Sequence, residues 1–400
     1  MNDEPVPTEE EIQDRDAAVS RGSKEGSLFE RLAPRNLDWR SLVLVPLLAV
    51  LSALIIGALI IAVTDGPGAI PEAYSAMLRG SLLGWRSISE TLTSSSPLIL
   101  AGLSVAIGFQ AGLFNIGAEG QMVIGGLTAV IVGFSLTGLP IIIHLPLALA
   151  AGILGGAMWG GIPGLLKART GAHEVISTIM LNFIAFNLLN FLLKVPFIQL
   201  EGRFDPISKT VEATARLPRI LTWVPVPGAS GLRVNLGFVV AIAAAWVVWW
   251  ILYRSTIGFE FRAVGANPGA AKYGGMSVGW SLFLVMGVAG GLGGLGGANE
   301  SLGVLGNVSP GFTSNIGFDA IALALLGRSH PGGVVLAGLL FGALRAGGRT
   351  MQAQSGVGID LITIVQALVI VFIAAPALVR AIYRVRGGRA AGQITRGWGQ

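Results

Sequence analysis

The sequence predicts an all-α, polytopic membrane protein of about ten transmembrane helices, with broken helices and an inverted internal repeat as further expectations. Three observations carry this. Of 400 residues, 52% are hydrophobic and only 12% charged, against roughly 25% charged in an ordinary soluble domain. So little charge cannot cover a water-facing surface. Glycine occurs 58 times, about twice its usual share of roughly 7%. The apolar residues fall in unbroken runs of helix-spanning length, not in the weak alternating segments of a transmembrane β-barrel.

Taken in chain order, residues 1–30 are polar and acidic, too poor in apolar side chains to offset the entropy of ordering. They lack the basic start and apolar core of a secretory signal. With the interfacial segment 31–40 they form the first region, where Trp39 suits the headgroup level. A membrane domain occupies 41–380, and a basic tail 381–400. Apolar segments lie near 41–63, 91–109, 117–137, 141–166, 175–195, 235–253, 278–297, 316–328, 332–347 and 359–380. The more hydrophilic stretch 64–90 has room for an amphipathic helix. Residues 196–234 form the longest polar insertion, with Pro206, Pro218, Pro225 and Pro227.

The first 40 residues hold ten of the 22 acidic side chains, so the remainder carries a net +9. Basic residues at a membrane surface account for this more simply than nucleic acid does. With both termini placed in the cytoplasm, 17 of the 27 Lys and Arg fall on the inner side. There is no cysteine, and His144, His173 and His330 lie far apart. Neither a cysteine-based site nor a metal site or other cofactor is expected.

Glycine is placed with a period. Gly152, Gly156, Gly160 and Gly164 recur every four residues, and Gly287–Gly291, Gly290–Gly294 and Gly293–Gly297 repeat the interval. Small residues so spaced let helix backbones approach in lipid, either within one chain or at a subunit face. Asn115-Ile116-Gly117-Ala118-Glu119 is echoed by Asn315-Ile316-Gly317-Phe318-Asp319. Five spans per unit would invert the second unit relative to the first, an architecture that sets broken helices and solute sites near the midplane.

Polar groups within apolar segments are the candidate site residues, because ionisable side chains there are unfavourable unless they have a task. Asn115, Glu119 and Gln121 open the third segment. Glu174, Thr178 and Asn182 share a face of the fifth, which Asn187 and Asn190 continue. Asp319 mirrors Glu119. Each is open to two readings: hydrogen bonding to a polar solute, or tying neighbouring helices together. Arg328 and His330 suit a helix C-terminus.

Between the sixth and seventh segments, Asn267 can cap a helix and Pro268 suits its first position. Gly274 or Gly275 can end it in a left-handed conformation. This predicts a helix of about two turns outside the hydrocarbon, with Arg262 and Lys272 facing water or a partner. It is either a capped surface helix or a docking knob. No GxxxxGK[ST] loop occurs, so uphill transport would draw on an ion gradient or on another polypeptide.

At FNIGAEGQ (114–121), EVISTIMLN (174–182), GFEFRAVGANPGAAKYGG (258–275) and GFDAIALALLGRSHPGG (317–333) the chain resembles the permease subunits of ATP-binding-cassette importers. The branch is that for branched-chain amino acids, ribose-type sugars and nucleosides, and the first two motifs look most like its nucleoside and simple-sugar members. The resemblance implies a ten-helix permease, not itself an ATPase. It also implies a second permease subunit, two cytoplasmic ATPase subunits and an extracytoplasmic solute-binding lipoprotein. In the family the loop matching 258–275 carries the helix that docks on the ATPase, which carries over to Arg262, Gly265, Asn267, Pro268, Ala270, Ala271 and Lys272. The expected function is import of a nucleoside or simple sugar across the plasma membrane by alternating access. An ion-coupled secondary transporter using Glu119 and Asp319 is the alternative, and an intramembrane enzyme a remote third.

Overall fold

The computed structural model describes residues 39–220, 231–358, 360–374 and 382–383. The acidic tail, most of the basic tail, and Pro225 and Pro227 of the insertion lie outside the described residues. The chain divides into two units, 1–48 and 49–400. Of the first, the described part is the opening of one helix; the packing below belongs to the second.

Helices follow the apolar runs. They are α1 (Trp39–Thr64), α2 (Ala69–Ser81), α3 (Trp85–Gln110), α4 (Ala118–Ser135), α5 (Ile141–Thr170), α6 (Glu174–Leu192) and α7 (Leu236–Arg254). Then come α8 (Thr256–Ala266), α9 (Pro268–Tyr273), α10 (Val278–Glu300), α11 (Ile316–Leu326), α12 (Pro331–Ser355) and α13 (Asp360–Ala374). Among the described residues eight are long and apolar enough to cross a membrane, and α11 and α13 are shorter apolar helices. Helix α2 is the amphipathic one expected in 64–90, burying Ala73, Ala76 and Met77 while Glu72 and Arg79 stay exposed.

The glycine stripe explains the tightest packing. A Cβ on Gly156 would lie 2.6 Å from the Cα of Gly294, and one on Gly160 would lie 2.8 Å from the Cα of Gly290. Gly152 and Gly164 are closed off in the same way by Ala298 and Met286. The stripe therefore joins α5 to α10 within one chain, backbone against backbone, which only glycine permits. The two most extensive helix interfaces are α5 with α10 and α3 with α12. Each pairs a helix from one half of the chain with a helix from the other, so the halves are interleaved.

Two helices begin inside the bundle. After α3 the chain turns at Gly112 (φ 71°) and comes back through 113–117 before α4 starts. Helix α10 is extended by a π-helical turn, Ser301–Leu305, and ends at Gly306 (φ 81°). The chain then folds back through Ser314 and Asn315, both left-handed, before α11 starts. Helix α4 runs toward the 196–220 insertion, whose Glu212 N–H donates to Gly133 O at 2.9 Å. Helix α11 runs the other way, ending where Gln110 Nε2 donates to Ser329 O at 3.1 Å, beside the α8–α9 loop. Two half-helices, opposed and starting from a common point, are what two inverted units would produce.

The insertion seals one end of the bundle. Ser208 N–H donates to Val308 O at 3.0 Å and Val211 N–H to Gly306 O at 3.0 Å, while Leu217 N–H reaches Leu302 O at 3.2 Å. Predicted boundaries are corrected at α3, which starts at Trp85 and not at 91, at α10, whose helical turns run past 297 to Leu305, and at α12, which runs to Ser355, eight residues beyond the predicted 347. Hydropathy falls at Arg345 and Arg349, yet the helix continues because both arginines turn into a cleft and not toward lipid.

The glycine contact is testable. Gly156→Val should destabilise the purified chain by about 1–3 kcal/mol or more, the usual range for overpacking, and lower its thermal midpoint in detergent. Gly287→Val, whose Cβ meets nothing within 4 Å, should leave the midpoint unchanged. Equal midpoints for the two variants would contradict the packing.

Candidate functional site

The starts of α4 and α11 meet inside the bundle, where the free N–H groups of a helix N-terminus need acceptors. Glu119, 1% exposed, provides them for α11. Its Oε2 accepts from Gly317 N–H at 2.6 Å, and its Oε1 accepts from the Thr313 hydroxyl. Asn182, on α6, does the same for α4, accepting from Gly120 N–H at 2.9 Å and donating to Ile116 O at 2.9 Å.

Asn115 and Gln121 complete this brace. Asn115 Nδ2 donates to Gln121 Oε1 at 3.1 Å, and Gln121 Nε2 donates back to Asn115 Oδ1 at 3.1 Å. Ser104 of α3 donates to Gln121 Oε1 at 3.2 Å. Thr178 is buried and bonds the Glu174 carbonyl of its own helix at 2.7 Å. Glu174 pairs with Lys167 at 2.8 Å across the α5–α6 corner. Asn187 and Asn190 are not brought into the cluster. Both sit on the exposed side of α6, and Asn187 donates to Phe183 O of its own helix at 2.8 Å.

Asp319 does not mirror Glu119. It turns away from the brace into a cleft of about 350 Å³, within the roughly 300–1,000 Å³ of small-molecule sites. There Arg345 Nη2 donates to Asp319 Oδ2 at 2.7 Å and to Ser314 O at 3.1 Å. Arg233 pairs with Glu90 at 3.2 Å, and Arg349 donates to the Ser94 hydroxyl. The cleft runs from Asn315 and Asp319, at the start of α11, past Glu300. A second cavity shares Glu90, Arg233 and Arg349 with it and adds Arg79 and Arg86. The passage therefore leads from the half-helix junction toward the insertion end.

Sequence reasoning found Asp319 here and missed Glu90, Arg233, Glu300, Arg345 and Arg349. Four of these sit at or just past the edges of the apolar segments. The signal available was the i, i+4 spacing of Arg345 and Arg349 inside a helical run.

At the other end Asn267 Oδ1 accepts from Ala270 N–H at 3.0 Å, and Pro268 takes the first helical position as predicted. Helix α9 is six residues long, shorter than the predicted two turns, and is preceded by α8, capped by Ser255 on Gly258 N–H at 3.1 Å. Gly275 takes the left-handed position at φ 81°. Asn267, Pro268, Ala270 and Lys272 are exposed, and Tyr273 is 97% exposed. Ala271 is buried. Arg262 is half-buried, its guanidinium over the Tyr253 ring at 5.2 Å, so it does not face open water. A Cβ on Gly265 would stand 2.6 Å from Gln110 O and 2.8 Å from Ala111 Cα. The exposed knob thus presses, through a backbone contact, on the turn that leads into Asn115 and Glu119. His330, expected to close α11, instead accepts from Gly332 N–H at 3.2 Å and caps α12.

A bundle of interleaved halves with a polar cleft at its broken helices is the architecture of a membrane transporter. Residues 87–374 match the branched-chain amino acid transport system / permease component family, and the chain belongs to it. It is similar to the guanosine ABC transporter permease protein of Bacillus subtilis, with 40% identity over 340 residues, 85% of this chain and 95% of that one. The glucose ABC transporter permease protein of Haloferax volcanii is 37% identical over 331 residues, 82% of this chain and 86% of the relative. The nucleoside ABC transporter permease protein of Lactococcus lactis is 36% identical over 336 residues, 83% and 90% respectively. No solved structure gives a significant match.

If Glu119 is a brace, its charge is dispensable and its acceptor oxygen is not. Glu119→Gln should keep coupled uptake and cost about 1 kcal/mol or less, the worth of a typical hydrogen bond. Glu119→Leu should lower the thermal midpoint and uptake together. Loss of uptake in Glu119→Gln at an unchanged midpoint would instead mark a proton or cation site.

Proposed function

We propose that this chain is the membrane-embedded permease subunit of an ATP-driven importer for a nucleoside or simple sugar. It would lie in the plasma membrane with both termini in the cytoplasm. The carrying observation is the polar cleft that ends at the α4–α11 junction, in a chain whose relatives are named as ABC transporter permeases for guanosine, nucleosides and glucose. Engagement of Glu119 and Asp319 in tight bonds within the protein favours this over ion coupling.

With this orientation α8 and α9 face the cytoplasm, where the exposed face of Asn267, Pro268, Ala270, Lys272 and Tyr273 would dock on an ATPase subunit. Movement of α9 on ATP binding would pass through Gly265 to Ala111 and Gly112, and from there to the brace. The cleft would then close at the insertion end and open at the other. A second permease subunit would complete the path, and an extracytoplasmic binding lipoprotein would deliver the solute.

Reconstitution with candidate ATPase, permease and binding-protein partners should give nucleoside or sugar uptake that requires ATP. Uptake by the chain alone under an ion gradient would overturn the reading. In the complexes that assemble, Gly265→Val should uncouple ATP hydrolysis from uptake, because the new side chain wedges the knob off the 110–112 turn. Coupled uptake at the native rate in that variant would remove the relay.

A further inference from the structure

The cleft carries more information than its polarity. Gln366 of α13 lines it, is 6% exposed, and its Nε2 finds no acceptor among the described residues. Glu300, at the end of α10, also lines it, and its side chain makes no hydrogen bond or ion pair among the described residues. Arg345, Arg349 and Arg233 line the same cleft. A buried amide donor left unsatisfied is unfavourable, and so is a carboxyl group without a hydrogen-bond partner. Such groups in the wall of one cavity imply a ligand that satisfies both.

A hydroxyl donates one hydrogen bond and accepts others, so a carboxylate and an amide or guanidinium N–H can use it together. Two adjacent hydroxyls do this twice, and bonds to charged partners are the stronger kind. The deep cleft sets three acids, Glu90, Glu300 and Asp319, against three arginines. Acids and arginines are equal in number there, so its wall offers acceptors and donors alike to a hydroxylated ligand. Among the described residues no aromatic side chain lines either cavity, so they supply no aromatic platform of the kind on which proteins commonly stack bases.

We infer that the cleft recognises the vicinal hydroxyls of a neutral sugar ring, ribose or hexose, and leaves an attached base unread. Glu300 accepts from a hydroxyl while Gln366 and the neighbouring guanidinia donate to the ring oxygens. Guanosine and glucose, named for two relatives of similar identity, share a hydroxylated ring and no base. The inference rests on the proposed function, in that the cleft is taken as the translocation site.

The test uses the chain assembled with its permease and ATPase partners in nanodiscs, without the binding protein. Saturation-transfer NMR is recorded with uridine, ribose, uracil and 2′,3′-dideoxyuridine. Uridine and ribose should compete, with saturation strongest on the ring protons. Uracil and dideoxyuridine should bind at least tenfold more weakly, a difference of about 1.4 kcal/mol. Gln366→Leu should weaken uridine and ribose alike. Equal binding of uracil or dideoxyuridine, or no binding of uridine and ribose, overturns the inference. The same complex with binding protein and ATP separates the two claims. ATP-dependent uridine uptake without hydroxyl dependence in the nanodisc leaves the importer standing and removes the diol site. Absence of ATP-dependent uptake of nucleosides and sugars removes the importer itself.

Discussion

The hydrogen bond from Gly317 N–H to the Glu119 carboxylate is the constraint around which the membrane domain is organised. Two helices begin there, head to head, at the buried residues Glu119 and Gly317. Each N-terminus is positive and would repel the other. Glu119 answers for α11 and Asn182 for α4, so the two half-helices hold each other through acceptors borrowed from other elements. The bond is short in range and directional. Any relative movement of the two halves must carry it along or break it.

Close packing makes this junction possible. Gly317 has its Cα against the backbone of Ala118 and Glu119, where any side chain would collide. The glycine stripe of α5 on α10 draws the two halves together on one side, and the α3–α12 interface does so on the other. In lipid no hydrophobic force drives this association, so it rests on dispersion between close backbones and on the polar brace. That division leaves a charged cleft between α3, α10, α11, α12 and α13 without weakening the core. Its arginines and acids are held largely by one another, as in the Asp319–Arg345 pair.

The two functional ends are joined by backbone. Gly265 touches Gln110 and Ala111, and five residues further along the chain is Asn115, the first member of the brace. A push at α9 therefore meets a stiff path, with few flexible side chains to absorb it. The cleft lies on the far side of the brace from α9. Motor contact and solute site are separated, yet both bear on the start of α4.

Much of this was legible in the linear sequence, for identifiable reasons. Apolar run length located the spans, since a helix in lipid must satisfy its own backbone. The Asn267-Pro268 cap is local chemistry and was readable within a few residues. The four-residue glycine period announced a close helix contact, and the NIG echo announced two helix starts. Which helix the glycines would meet was not written in their spacing, because a stripe specifies a face and not a partner. Nor could the echo reveal that Glu119 would become a brace and Asp319 a cleft acid; their local sequences are nearly alike, and their neighbours differ. The charged cleft was the least legible feature. Arg345, Arg349, Glu300, Glu90 and Arg233 come from four separate stretches, and hydropathy placed most of them at the borders of spans. The sequence by itself determined a bundle of helices in a membrane, its capped knob and its buried polar groups. Only the tertiary structure decided which of those groups face one another, because the folding back of two half-helices sets the neighbours of each charge across hundreds of residues.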